Sequence, residues 1–168
     1  ADGNEVYVTA ISQEGETERS LKIFAIDRKC GEGIWSIRER VEYGIWGGMA
    51  LDKERIYVSL FNDDGAELFA VERKEGLRMW KLNSEDIKFT TMEWSNPVII
   101  GNEIYMGEAQ KKPNRQDISN IYCIDKNDGT IYKKFKLGTS TNYFDAPVVV
   151  AAKESIYGLY GGRMVAIR

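Results

Sequence analysis

Residues 24–35 read FAIDRKCGEGIW, and residues 69–80 repeat nearly the same pattern as FAVERKEGLRMW. The core of the stretch is an apolar residue, a small residue, another apolar residue and an acid. It returns as YCID at 122–125 and in part as VAI at 165–167. The acids Asp27 and Glu72 are 45 residues apart, and Glu72 and Asp125 are 53 residues apart. Self-similarity at such a spacing is typical of a repeat architecture.

Three further segments recur around this core. Upstream lie NEVYV (4–8), ERIYV (54–58), NEIYM (102–106) and ESIYG (154–158), preceded by WGGMAL (46–51), WSNPVI (94–99) and FDAPVV (144–149); downstream lie GIWSIR (33–38), LRMWKL (77–82) and TIYKKF (130–135). They are rich in β-branched and aromatic residues and are bounded by turn pairs such as Asp128-Gly129, which predicts short strands joined by tight hairpins. No window shows a sustained helical period, so we expect almost no helix.

Four strands in each repeated unit predict an all-β chain folded as a β-propeller, with one four-stranded blade to a unit. We expect a single domain whose blade parts span residues 1–40, 41–83, 84–137 and 138–168. A β-sandwich is the alternative, because it is also built from short strands. A sandwich does not require the same four-strand pattern to be repeated.

The spacing Ala25-x-Asp27-x-x-x-Gly31-x-x-x-Trp35 resembles the blade motif of the quinoprotein (PQQ-dehydrogenase-like) β-propeller repeat family. The second unit matches it from Ala70 to Trp80, with Glu72 as the acid; the third keeps Cys123, Asp125 and Gly129 but has Lys133 at the tryptophan position. The resemblance implies that the tryptophan docks between adjacent blades, and that docking is weaker after the third blade. It also implies an extracytoplasmic location: periplasmic, secreted or lumenal.

The predicted strands do not complete a ring. With the strands of a blade labelled A (inner) to D (outer), the chain has three, four, four and three of them, or 14 in all, about 3.5 blades. It begins at a B strand and ends at a C strand, so the first blade lacks its inner strand and the last lacks its outer one. Open edges attract other strands. We expect part of a larger propeller of about six to eight blades, joined by its remaining blades or by a second copy.

Composition excludes several classes of function. The chain has no histidine, which removes Ser-His-Asp and Cys-His catalysis and histidine-ligated metal sites. Two cysteines, Cys30 and Cys123, cannot form a four-thiolate zinc site. A net charge of −3 is not the footprint of a nucleic-acid-binding domain. The longest apolar run, APVVVAA at 146–152, is far shorter than the roughly 20 residues of a membrane helix. We expect no metal, no cofactor and no catalytic set.

The connections between D and A strands offer the first candidate binding residues. They place an aromatic residue before each A strand together with polar neighbours: Trp46, Glu93, Trp94, Asn96, Phe144 and Asp145. Quinone-binding members of the family that the chain resembles use a similar place, with aromatic stacking and carboxylate or amide ligands to calcium. The alternative is that these aromatics only cap the packing between inner strands.

The B-to-C connections, at the same end of the blades, vary most from unit to unit. The third, residues 109–119, is long and basic at Lys111, Lys112 and Arg115. Loops on a rigid scaffold are where binding is usually found, although a tolerated solvated insertion would look the same.

Two functions follow from these observations. The first is a non-catalytic scaffold or sensor module that binds a protein partner or ligand through these loops. The second is a fragment of a quinone-dependent dehydrogenase, which the family motif favours but the missing cysteine pair and base do not. The sequence favours a non-enzymatic role and leaves an enzymatic one open.

Overall fold

The computed structural model describes residues 3–14, 18–41, 48–62, 65–83, 92–110, 117–140, 148–152, 155–160 and 163–167. Within these ranges the chain forms 15 β-strands and no helix. The strands form four separate antiparallel sheets, taken up in chain order. The fold is therefore all-β, an open β-propeller segment with one sheet for each sequence repeat.

The strands are bounded as follows. The first sheet contains β1 (Glu5–Glu14), β2 (Glu18–Asp27) and β3 (Gly33–Val41); the second contains β4 (Met49–Leu51), β5 (Arg55–Asn62), β6 (Gly65–Glu72) and β7 (Arg78–Asn83). The third contains β8 (Met92–Trp94), β9 (Val98–Ile100), β10 (Glu103–Gln110), β11 (Asp117–Asp125) and β12 (Ile131–Ser140). The fourth contains β13 (Val148–Ala152), β14 (Ser155–Tyr160) and β15 (Arg163–Ile167).

The register of the sheets confirms the repeat alignment. The B-strand tyrosine of each unit lies directly opposite the small residue of the C strand. The pairs are Tyr7 with Ala25, Tyr57 with Ala70, Tyr105 with Cys123 and Tyr157 with Ala166. All four tyrosines therefore occupy the same place in the blade, as the sequence predicts.

The expected count of 14 strands was wrong by one, because the inner strand of the third blade is divided. Strand β8 pairs with the far half of β10 and β9 with its near half, and the register shifts by one residue between them. Pro97 lies in the gap and has no N–H to donate, which disfavours an unbroken strand. Ser95 bridges the gap, since its hydroxyl accepts a hydrogen bond from the N–H of Gly107 at 2.8 Å.

A β-bulge recurs between the C and D strands at the same position in three sheets. It lies after Ala25, Ala70 and Cys123. The extra residue on the D strand is Ile34 in the first sheet and Met79 in the second, and both side chains are exposed. A bulge re-aims the side chains beside it, and here the neighbouring residues are Trp35 and Trp80.

Trp35 and Trp80 each dock onto the next sheet. The indole nitrogen of Trp35 donates to the Arg73 carbonyl at 2.8 Å, and that of Trp80 donates to the Lys126 carbonyl at 3.1 Å. A Cβ at Gly76 would lie 2.7 Å from the Trp35 ring, so glycine alone leaves room for the indole. Gly129 stands in the same relation to Trp80, at 2.8 Å. The implied docking of tryptophan between blades is confirmed at both junctions.

The apolar core lies between sheets. We call the side of a sheet that carries the B-strand tyrosine its indole face, because Trp35 and Trp80 lie on that side, and the opposite side its receiving face. At the first junction Tyr7, Leu21, Ile23 and Ala25 meet Ile56, Val58, Leu60, Phe69 and Val71. At the second, Tyr57, Ala66, Leu68, Ala70 and Leu82 meet Ile104, Met106, Tyr122 and Ile124. At the third, Tyr105, Ile121 and Cys123 meet Val149 and Ile156.

In the part of the chain that the structure describes, no helix has the length and apolar character needed to cross a membrane.

Replacing Trp35 or Trp80 by alanine should lower the free energy of unfolding by about 3–5 kcal/mol, the range for large aromatic truncations in a core. The loss combines apolar contact with the hydrogen bond to the next blade. Chemical denaturation monitored by far-UV circular dichroism measures it. Ile34→Ala, at the exposed bulge beside Trp35, is the control and should change stability by about 0.5 kcal/mol or less. A loss below about 1 kcal/mol for both tryptophans would contradict the docking role.

Candidate functional site

Most of the predicted binding residues fall where the structure gives no description. Six of the nine lie outside the described residues: Trp46, Lys111, Lys112, Arg115, Phe144 and Asp145. Glu93 and Trp94 lie in strand β8, where their backbones pair with Ala109 and Glu108 of β10. The predicted residues that the structure brings together are thus those of the inner strand of the third blade.

Asn96 follows this strand and packs against the neighbouring blade. A Cβ at Gly48 would lie 1.8 Å from Oδ1 of Asn96, so the side chain fits only because residue 48 is glycine. Gly48 directly precedes β4, the inner strand of the second blade. The amide of Asn96 is therefore placed at the seam between two inner strands, although part of the residue remains exposed.

Opposite Trp94 the structure places a carboxyl group that the sequence analysis did not select. The Glu108 side chain has no exposed surface. Its Oε2 accepts a hydrogen bond from Nδ2 of Asn120 at 2.6 Å and lies 3.5 Å from Nζ of Lys134. Lys134 also donates to the Tyr122 hydroxyl at 2.6 Å, and its ammonium lies over the Tyr122 ring. We call Glu108, Asn120, Tyr122 and Lys134 the Glu108 cluster.

Burial dominates the electrostatics of this cluster. It raises the pKa of Glu108, against the opposing attraction of Lys134 and the hydrogen bond from Asn120. It also raises the pKa of Tyr122, and the charge of Glu108 acts in the same direction. The second oxygen of Glu108, Oε1, is buried without a hydrogen-bond partner among the described residues. A carboxyl in such surroundings favours the protonated form more than one in water does.

The second blade carries a related pair at the equivalent place. Glu67 is fully buried, and Nζ of Lys81 lies 2.5 Å from its Oε1 and over the Phe69 ring. Glu67 is on the C strand opposite Leu60, whereas Glu108 is on the B strand opposite Asn120. The same cross-strand position therefore holds one acid in the second blade and one in the third, contributed by a different strand in each.

These buried acids hold neighbouring strands together through a hydrogen bond and ion pairs, and their arrangement does not suit metal binding. In the ranges that the structure describes, no three Asp, Glu or Cys side chains converge in a way that could hold a metal ion. Both acids lie on receiving faces, packed toward the preceding blade. The sequence signal for Glu108 was a charged residue at the position that Leu60 occupies in the second blade, within an otherwise apolar strand.

A second polar network lies at the opposite end of the blades, around the tryptophan docking turns. Arg73 donates to the Tyr7 hydroxyl at 3.0 Å and pairs with Glu5 at 3.2 Å, which joins the second blade to the first. Lys126 pairs with Asp52 at 3.0 Å and joins the third blade to the second. Burial opposes ionisation of Asp52, but hydrogen bonds from the Glu54 N–H and from Lys126 outweigh it and lower the pKa of Asp52.

Comparison with known proteins supports the fold. No protein-family model matches the chain. Lupanine 17-hydroxylase [cytochrome c] of a Pseudomonas species is 28% identical over 100 residues, covering 52% of this chain and 14% of the hydroxylase. A quinohemoprotein alcohol dehydrogenase from Pseudomonas putida HK5 superposes with a TM-score of 0.60 and 13% identity, over 97% of this chain and 29% of its own. A europium-containing methanol dehydrogenase superposes with a TM-score of 0.55 and 14% identity, over 80% of this chain and 23% of its own.

Replacing Glu108 by glutamine should stabilise the protein at neutral pH. The pKa of Glu108 in the folded protein is raised above its ordinary value of 4.5. The stabilising contribution of the protonated carboxyl is therefore fully present below about pH 4.5 and is lost as pH rises through the folded-state pKa. Glutamine keeps an acceptor for Asn120, and Lys134 remains 37% exposed and able to reach water. Thermal melting from pH 4 to pH 8 should therefore show wild type and variant converging in acid and diverging above it.

Glu75→Gln, on an exposed turn, is the control, and its melting temperature should follow that of wild type from pH 4 to pH 8. A Glu108→Gln variant that is less stable than wild type at pH 8 would show that the ion pair with Lys134 outweighs burial.

The chain spans between about one seventh and three tenths of the length of these relatives. The chain thus has the fold of a quinoprotein-type β-propeller and resembles a part of one ring.

Proposed function

We propose that the chain is a non-catalytic scaffold segment of a larger extracytoplasmic propeller, which presents its B-to-C and D-to-A connections to a protein partner or ligand. The observation that carries the proposal is the repeated docking of tryptophan on glycine, which fixes successive blades rigidly and leaves the connections at one end free to vary. Neighbouring strands are antiparallel, so both kinds of connection leave the sheets at the same end.

The proposed contact residues combine two chemistries. Trp46, Trp94 and Phe144, with Glu93, Asn96 and Asp145, would offer aromatic surface beside hydrogen-bonding groups. Lys111, Lys112 and Arg115 would add positive charge from the longest connection. This combination suits an acidic partner that also presents a flat apolar or aromatic group. The extracytoplasmic location rests on analogy with the family that the chain resembles.

The chain on its own should not remain a simple monomer. The B and C strands of the second and third sheets pair on both sides, but β1, a B strand, and β15, a C strand, each pair on one side within the described residues. Each therefore leaves backbone groups facing outward. Such edges are satisfied by strands from another chain or from further blades. Light scattering at several concentrations should give a mass that rises above 19.1 kDa. A mass that stays at 19.1 kDa with cooperative melting would mean that both edges are capped.

A second candidate function is a segment of a quinone-dependent dehydrogenase. It is favoured by the comparisons with lupanine 17-hydroxylase [cytochrome c] and a quinohemoprotein alcohol dehydrogenase. Of the residues proposed to surround such a cofactor, Asn96 has a described side chain, and that side chain packs against Gly48. The side chains of the other residues proposed to surround such a cofactor lie outside the part of the chain that the structure describes.

Titration of the chain with pyrroloquinoline quinone and calcium separates the two functions. We expect no absorbance change and no shift in melting temperature, as for a scaffold. A micromolar site would be evident, because a ligand at 100 times its Kd adds about 2.7 kcal/mol to the free energy of unfolding. Calcium alone and quinone alone are the controls. A joint shift that Asp145→Asn removes would favour the dehydrogenase segment instead.

A further inference from the structure

The third blade carries two polar residues that the second blade does not have at the same positions. Both blades place a D-strand lysine opposite a C-strand aromatic residue: Lys81 opposite Phe69, and Lys134 opposite Tyr122. At the next position on the same face, the B and C strands pair Leu60 with Glu67 in the second blade and Glu108 with Asn120 in the third. The third blade alone of these two therefore combines a lysine, a primary amide and a separate carboxyl group.

The amide and the carboxyl are both excluded from water. Asn120 is 1% exposed and Glu108 is 0% exposed. A buried carboxyl and a buried amide cost free energy that an apolar pair would not, and Oε1 of Glu108 has no hydrogen-bond partner among the described residues. Packing does not explain such a pair, so we looked for a chemical role.

The geometry places one carboxylate oxygen between two nitrogen atoms. Oε2 of Glu108 lies 2.6 Å from Nδ2 of Asn120 and 3.5 Å from Nζ of Lys134. Tyr122 orients the amine, because its hydroxyl accepts a hydrogen bond from Nζ at 2.6 Å and its ring lies 4.8 Å from the same atom. A nucleophilic amine, an electrophilic amide carbon and a proton carrier are thus held together on one sheet face.

We propose that Lys134 and Asn120 form an intramolecular amide bond, with Glu108 as the catalytic acid–base. Nζ of Lys134 attacks Cγ of Asn120; the Nζ–Cγ bond forms and the Cγ–Nδ2 bond breaks. Nζ gives up two protons and the departing Nδ2 gains two, so it leaves as ammonium. Glu108 passes these protons from one nitrogen to the other through Oε2 and ends in its starting state. The reaction needs no oxidant and no metal.

The surroundings of the three groups favour this reaction. Burial raises the pKa of Glu108, which helps the carboxylate to take a proton from the neighbouring ammonium. The buried amide is shielded from water that would compete for its carbon, and fixed neighbours react without the entropy cost of an encounter. Lys134 is 37% exposed, so the released ammonium has a route to solvent.

The bond would tie the C strand of the third blade to its D strand across the turn at 126–130. This is the blade that has Lys133 instead of a tryptophan at the end of the motif. A covalent tie would hold the D strand in place where no indole anchors it to the next blade. The inference does not depend on what the loops bind or on the number of blades.

Intact-mass spectrometry of the folded full chain tests the proposal. On incubation at neutral pH the mass should fall by that of one ammonia molecule, whereas chain kept unfolded in denaturant should retain its calculated mass. Trypsin should then release residues 116–126 joined to residues 134–136, because it does not cleave after an acylated lysine. Fragmentation of this joined peptide should place the bond at Asn120 and Lys134.

Three variants assign the roles. Lys134→Arg keeps the positive charge but has no amine to react, so it should retain its calculated mass. Glu108→Gln keeps both reacting groups but carries no proton, so linkage should slow by about 100-fold or more. Lys81→Arg, at the equivalent position of the second blade, is the matched control and should link as wild type does. Far-UV circular dichroism verifies that each variant is folded.

Two results would overturn the bond itself: a folded wild-type chain that keeps its calculated mass after prolonged incubation, or a loss of ammonia that persists in Lys134→Arg. Linkage of Glu108→Gln at the wild-type rate would overturn the catalytic role of the carboxyl. The wild-type mass needs no variant, so a variant that fails to fold leaves the test intact. Because the bond would itself stabilise wild type, the pH comparison with Glu108→Gln is made on freshly refolded chains of unchanged mass.

Discussion

The contact of an indole ring with a glycine backbone is the constraint on which this fold depends. The indole can lie flat only if the residue beneath it has no Cβ, and the turn needs a positive φ that glycine adopts at no steric cost. The ring reaches across only because the bulge at Ile34 or Met79 re-aims the following side chain. The cross-strand neighbour is alanine in both blades. The motif of small residue, acid, glycine and tryptophan is therefore a set of geometric requirements that must be met together.

The polar groups between blades divide into two kinds. Those near the docking turns are charged pairs with partial access to water, such as Arg73 with Glu5 and Lys126 with Asp52. They gain little energy individually, but they link each blade to the one before it at a defined register. Glu67 and Glu108 are different, because a buried carboxyl costs free energy unless it is fully satisfied. Each is met by a lysine that reaches in from the D strand across an aromatic ring, which keeps the cation itself near solvent.

The parts of the structure that were predictable from the sequence are those fixed by local residue type. The residues of the motif each impose a local requirement, Gly31 and Gly76 on the backbone and Trp35 on packing. Because the motif recurs, it predicts the register of the four tyrosines and the two docking contacts. The division of the third inner strand has a sequence signal of its own, Pro97, although the repeat predicts one continuous strand there. Glu108 could not be selected, because its role depends on which face of the strand is covered and on Lys134, 26 residues away. Whether the predicted binding residues form one site depends on how separate connections converge in space, which no repeated pattern encodes.

The third junction shows what remains when the indole is absent. Lys133 stands at the tryptophan position and lies over the Phe135 ring of its own strand, and the Cys123 thiol donates to the Tyr132 hydroxyl at 2.9 Å. The fourth blade compensates at a different point. Gly158 replaces the larger residues of the other receiving faces, and a Cβ there would lie 2.7 Å from Ile121. Glycine again makes room for a side chain from the preceding blade, and here that side chain is aliphatic. Close approach between blades is therefore reached at this junction without an indole, because a glycine on the receiving strand leaves room for an aliphatic side chain instead.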